Sequence, residues 1–267
     1  MKGLLITLVI VLGGLLAFSF FRSSSEDTRA DFDQQVIQEP AREETTPLPE
    51  ENTENTPVVQ EQEPALIIEP IENIKATNTP LPASINHPVT FFPQAPDGDR
   101  NLPRQEACEE ASIALASYFA KGKSLSRDQM RADIVGLVDL QMDMFGDYIH
   151  TTIAQTKELY LAFYGGDAYI VDNPSVADIK SILAQWHVIV APFAGRKLWN
   201  PHYSGQWPRY HMMVIRGYDD TYFYTNDVGT RRGENFRYTH ATIMDAMHDL
   251  NLADINQGAK RLLVITQ

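Results

Sequence analysis

The chain has 267 residues, a formal net charge of −13 and seven histidines. Most of that charge is local: fourteen acids and four bases lie between Arg22 and His87, a net of −10, Lys2 adds one positive charge, and −4 is left for the rest. The remainder is therefore only mildly acidic and carries no basic patch of the kind that tracks phosphates, which argues against nucleic acid as a partner.

Residues 1–22 read as a membrane anchor or signal segment. The run Gly3 to Phe21 is uncharged, and as a helix it would be about 28 Å long, enough to cross a hydrocarbon core of about 30 Å. Lys2 precedes it and an acidic stretch follows, so the positive-inside tendency places the N-terminus in the cytoplasm and the rest outside. The apolar run closes on Phe-Phe-Arg, in Ala-Phe-Ser-Phe-Phe-Arg-Ser-Ser-Ser, rather than on a small-x-small cleavage site, which favours a retained single-pass anchor in the cell membrane over a cleaved signal and a secreted product. Residues 23–86 are rich in Glu, Gln, Thr, Asn and Pro and lack a sustained apolar period. They cannot bury enough surface to offset ordering entropy and read as a disordered acidic linker, about 45 Å r.m.s. as a coil.

Residues 87–267 are long enough for one domain with its own core. In chain order, the pattern predicts a short strand at Val89 to Phe92, then helices over Cys108 to Lys121, Ser126 to Met144, Thr151 to Phe163 and Ser175 to Trp186, the last capped by Ser175 or Asn173. Strand signals follow at Val188 to Pro192, His211 to Tyr218, Thr221 to Asp227 and Arg261 to Thr266. Helices first and strands later indicate an α+β fold, N-terminal helices packed on a C-terminal antiparallel sheet.

The single cysteine, Cys108, opens the first of these helices. Cys108, Ala111, Ser112, Leu115, Tyr118 and Phe119 share helical spacing, which puts the thiol at the head of the inward face. The helix N-terminus favours a thiolate, whereas Glu109 and Glu110 in the same turn disfavour a second anion. A core thiol and a nucleophile both fit, and a cationic partner would decide. His211 is the candidate, because it begins one of two apolar strands that meet at Asp219-Asp220, a hairpin signal that brings His211 beside Asn226 and Asp227. A tight two-residue loop at Asp219-Asp220 puts Asn226 on the histidine's face, opposite Met213. A three-residue turn through Thr221 puts Asp227 there instead. Either side chain can orient an imidazole that serves a thiol as base. Trp199, Tyr203, Trp207 and Tyr210, just before His211, can line a cleft or pack as loop aromatics. No spaced ligand pair of the zinc-binding kind is present, and neither metal nor cofactor is expected.

Gln94-Ala-Pro, Gln105-Glu-Ala-Cys-Glu-Glu-Ala-Ser112, and His211 leading to Gly217-Tyr-Asp-Asp220 and Asn226-Asp227, taken in this order, resemble the Peptidase C39-like bacterial cysteine peptidases. These are relatives of the double-glycine leader peptidases with a papain-like fold. The resemblance implies Cys108 as nucleophile, His211 as base and acid, Asp227 as the residue orienting the ring, and an upstream glutamine amide at the oxyanion. Papain-like enzymes usually have that glutamine six residues before the cysteine, where this chain has Leu102. Gln94 is the preferred match, because the donor must reach across to the developing charge, and Gln105 is the alternative. Glu109 stands where many relatives have Gly. The implied activity is cleavage of a peptide or amide bond through an acyl-enzyme, on a peptide or cell-wall peptide substrate. No Walker-type phosphate loop is present, so a leader-processing role is not carried over. Two other readings use the same fold: a catalytically silent peptide- or wall-binding module, and a cell-wall stem-peptide amidase.

Overall fold

A computed structural model of the chain describes residues 80–205 and 208–267. The predicted anchor and nearly all of the predicted linker therefore lie outside the described residues. No helix among the described residues is long and apolar enough to cross a membrane.

The architecture is α+β. It opens with a short strand β1 (Ile85–Asn86), followed by helices α1 (Cys108–Ala120), α2 (Arg127–Phe145) and α3 (Ile153–Tyr164). Then come β2 (Ala168–Asp172), α4 (Val176–Ala184), β3 (Val188–Ala194), β4 (Tyr210–Tyr218), β5 (Tyr222–Asn226), β6 (Phe236–Thr239), α5 (His240–Ala246) and β7 (Arg261–Ile265). Local chemistry sets the helix starts. The Ser126 side chain accepts from Gln129 N–H at α2, and Thr152 with Gln155 and Ser175 with Asp178 form reciprocal capping boxes at α3 and α4. Gly146 ends α2 in the left-handed region at φ 76°.

All strand pairs are antiparallel, in the order β2-β7-β3-β4-β5-β6, with β1 added to β4. One sheet face carries Val188, Val190, Met212, Val214, Leu263 and Ile265 against a core built with α1 to α3. The other carries Ile189, Ala191, Phe193, Met213, Ile215, Leu262 and Val264, packed with Ile179, Ile182 and Leu183 of α4 and Ile243 and Ala246 of α5. Helices thus cover both faces, not only the one expected from a block of N-terminal helices. This is why β3 and β4 are buried at every position and read as continuous apolar runs. The helix α1 is likewise buried all round from Cys108 to Ser117, so Glu109 and Glu110 lie inside the protein; the single inward face inferred from spacing understates its burial.

The predicted strand at Val89 to Phe92 does not form. Pairing occurs earlier, with Ile85 opposite Tyr218 and Asn86 opposite Gly217, while the Val89 and Thr90 carbonyls accept from the Asn226 side chain. Gly217 permits this approach: a Cβ there would lie 2.2 Å from the Ile85 carbonyl oxygen. The strands β2 and β6 and the helix α5 escaped the sequence pattern. The first two are short and only partly buried, and α5 is a seven-residue helix, so none carries a strong period.

Candidate active site

The β4–β5 hairpin resolves the choice between Asn226 and Asp227 by a route that neither predicted turn contains. Near the turn, Tyr218 faces Phe223 and Gly217 faces Tyr224, so the loop residues are Asp220 and Thr221. The register then shifts between Ile215 and Gly217, and beyond the shift Ile215 faces Thr225 and Val214 faces Asn226. Arg216 is the extra residue of this β-bulge. Its guanidinium donates to the His87 carbonyl at 2.7 Å and to Asn226 Oδ1 at 3.1 Å. The shift brings Asp227 to the face of His211, while Asn226 is taken up by Arg216 and the chain at Val89 and Thr90.

Asp227 is fully buried and surrounded by donors. His211 Nε2 lies 2.9 Å and the Gly229 N–H 3.1 Å from Oδ1. Asn200 Nδ2 at 2.9 Å, Tyr203 Oη at 2.7 Å and Tyr238 Oη at 2.6 Å converge on Oδ2. Burial alone pushes the carboxyl up, but the His211 charge and bond and the two tyrosine hydroxyls overcome it and hold Asp227 at about 2. An ionised carboxylate only accepts, so His211 carries its proton on Nε2 and leaves Nδ1 free to take another. Among the described residues, Nδ1 has no hydrogen-bond partner. Gly229 seals the pair from one side, since a Cβ there would meet His211 Cε1 at 2.9 Å and Asp227 Oδ1 at 3.3 Å.

Cys108 comes from the other side of the sheet. The helix α1 packs on the face that holds Met212, and Ser112 donates to the Met212 carbonyl at 3.2 Å, while His211 belongs to the alternate set of β4 side chains. The thiol and the imidazole nevertheless line one small cavity at the start of β4. The thiol does not bond to the imidazole: Sγ donates to Glu109 Oε2 at 2.9 Å, and Glu109 Oε1 accepts from the Thr151 N–H at 3.3 Å. Burial, reinforced by Glu109 and Glu110, pushes the Cys108 thiol well up. Burial raises Glu109 to about 7 despite its bonds, and raises Glu110, whose two oxygens have no hydrogen-bond partner among the described residues, well above the ordinary carboxyl range.

Gln94, Gln105, Tyr203, Tyr210, His150 and His202 also line the cavity. Gln94 is held there by its backbone N–H on the Val228 carbonyl, but its Nε2 donates to the Arg104 and Gln105 carbonyls at 3.0 and 2.6 Å. The amide is thus in place but committed. Gln105 supplies a carbonyl to that bond and a place on the rim. Trp199 does not line the cavity and is 85% exposed, and Trp207 lies outside the described residues. Tyr203 serves as an Asp227 donor, and Tyr210 ties β4 to the chain before α3 through its hydroxyl on the Thr151 carbonyl. Asn200, Tyr238 and Gly229 were not singled out in sequence, and only the proximity of Asn200 to the aromatic stretch hinted at any of them. Among the described residues, no group of three or more His, Cys, Asp or Glu is placed to hold a metal ion.

No curated protein matches the chain significantly. A crystal structure assigned as a C39-like peptidase from Bacillus anthracis is similar at 13% identity and TM-score 0.48, over 69% of this chain and 98% of that one. The model of the Peptidase_C39 like family matches residues 87–248, the span holding the cysteine helix, the histidine strand and the Asp227 loop, and this chain, with its cysteine peptidase-like domain, belongs to that family.

Proposed function

We propose that this protein is a membrane-tethered, extracytoplasmic thiol hydrolase that cleaves a peptide or amide bond with Cys108 as nucleophile, His211 as base and acid, and Asp227 as the residue that orients the ring. The observation that carries the reading is the His211–Asp227 pair: a fully buried carboxylate with five donors fixes one nitrogen of an imidazole whose other nitrogen is free, in the cavity that holds the chain's one thiol. A buried charge so fully solvated by protein groups is costly to build, and presenting an oriented imidazole gives it a use.

In this mechanism the thiol proton passes from Sγ to Nδ1 of His211, and Nε2–H stays on Asp227, whose charge stabilises the imidazolium. The thiolate attacks the carbonyl, and the oxyanion is met by the Cys108 backbone N–H at the start of α1, where helix N–H groups lack intrahelical partners. Gln94 Nε2 joins it by exchanging one of its two carbonyl partners. His211 then protonates the leaving amine and activates water to release the acyl group. The predicted anchor at Gly3 to Phe21 and the acidic linker hold the domain outside the membrane, within reach of peptide or cell-wall peptide.

A second reading, a catalytically silent peptide- or wall-binding module, is favoured by the thiol's bond to Glu109 and by the committed Gln94 amide. Iodoacetamide labelling separates the two: Cys108 is expected to react fast near neutral pH, and His211→Ala to slow it. An ordinary thiol rate, unchanged by that substitution, rules out the hydrolase. Turnover of purified wall fragments set against a mixed peptide library distinguishes a stem-peptide amidase from a peptidase.

A further inference from the structure

Glu109 is only 1% exposed, and its two oxygens receive one donor each, the Cys108 thiol and the Thr151 amide. The titratable groups around it are Cys108 and Glu110 on its own helix, His211 and Tyr210 from β4, and His150 in the segment that supplies the Thr151 amide. His211 and His150 are the two among them that can bring a positive charge, and burial lowers the His150 ring from its ordinary value. With Glu109 ionised, the bond from Sγ to Oε2 needs the sulfur to keep its proton, and a carboxylate 2.9 Å away opposes a thiolate.

We propose that Glu109 is a third ionisable member of this site: its carboxylate holds Cys108 as the unreactive thiol, and the nucleophile is released when Glu109 takes up a proton or loses its bond to Sγ. The inference rests on the reading of Cys108 as the nucleophile. The protons balance. Glu109 Oε2 gains one from solvent, and the Sγ–H proton then moves to Nδ1 of His211, leaving a thiolate beside an imidazolium and a neutral carboxyl. Burial places the Glu109 titration in the neutral range. The Glu109 charge in turn raises the carboxyl of Glu110, one residue on and without a hydrogen-bond partner among the described residues.

The test is the pH profile of iodoacetamide alkylation, from roughly pH 5 to 9, on the full chain and on Glu109→Gln, His211→Ala and the double variant. For the parent protein the logarithm of the rate is expected to flatten or fall across about pH 7, because ionisation of Glu109 withdraws the thiolate. Glu109→Gln keeps the shape without the charge. It should match the parent within about twofold near pH 5.5, keep rising, and exceed it by about tenfold near pH 8, the effect of one pKa unit on the thiol. A constant ratio between the two profiles, or a slower Glu109→Gln protein above neutrality, overturns the inference. If that variant does not fold by circular dichroism, the parent profile decides alone: a steady rise through pH 7 without a shoulder overturns it. Failure of the nucleophile reading looks different, since His211→Ala would then leave labelling unchanged in both backgrounds.

Discussion

The two halves of the site bury acids to the same extent and treat them in opposite ways. Asp227 is sealed from water, yet five donors, one of them the His211 ring, keep it ionised with its carboxyl at about 2. Glu109, equally sealed, has the thiol and one long amide bond, and is raised to about 7. Glu110, with no donor among the described residues, is also raised well above its ordinary value. Burial does not by itself decide the state of a carboxyl group. The number of donors facing it does, because each replaces a bond to water that burial removed. The histidine half is thus built to hold a charge, and the cysteine half to resist one.

That contrast can be broken hardest at Asp227. Asp227→Ala leaves Asn200, Tyr203, Tyr238, the Gly229 N–H and His211 Nε2 facing a void. It is expected to lower unfolding free energy by about 3–5 kcal/mol, the scale for removing one partner of a buried charged pair, as read by denaturant titration. Asp227→Asn keeps the volume and isolates the charge. The folded carboxyl lies at about 2 against an ordinary 3.8, so the stability owed to its ionisation is present above about pH 4 and disappears as pH falls through 2. The gap between parent and Asp227→Asn should therefore close over that window, and a gap that stays constant with pH would mean the charge contributes nothing.

A smaller effect of opposite sign is expected at Glu110. Glu110→Met removes a buried acid without partners and should stabilise the domain by about 1–3 kcal/mol at neutral pH. The folded carboxyl of Glu110 is raised, so the folded state binds more protons than the unfolded chain above about pH 4.5, and its penalty grows with pH. The gain from Glu110→Met should shrink towards pH 4. Failure of the gain to depend on pH would contradict a raised carboxyl. The smallest change is Tyr238→Phe, which deletes one Asp227 donor and leaves four. It should cost about 1 kcal/mol by thermal unfolding and move the acid midpoint of Asp227 upward, as followed by carbonyl NMR.

Much of the frame was legible without the structure because its signals are local. The α2 helix starts at the expected Ser126, Ser175 of the two expected candidates caps α4, and the hairpin that brings His211 towards Asp227 follows from two apolar strands and a turn. The bulge at Arg216 was not legible, because it is set by partners far along the chain: the His87 carbonyl, 129 residues away, and Asn226 across the hairpin. For the same reason a turn-length argument reached Asp227 only through a three-residue turn that does not occur. Neither the commitment of the Gln94 amide to the Arg104 and Gln105 carbonyls nor the burial of Glu109 leaves a mark on local sequence.

By itself, then, the amino-acid sequence determined that a cysteine heads an apolar helix and that a histidine strand pairs with one ending in Asn226-Asp227, since side-chain period and hydrogen-bond pairing act over a few residues. Only the tertiary structure decided which of those two residues faces the imidazole, how many donors solvate it, and that the thiol's proton rests against Glu109. Register, burial and donor count are properties of groups brought together from α1, β4, β5 and the loops between them, and no stretch of chain carries them alone.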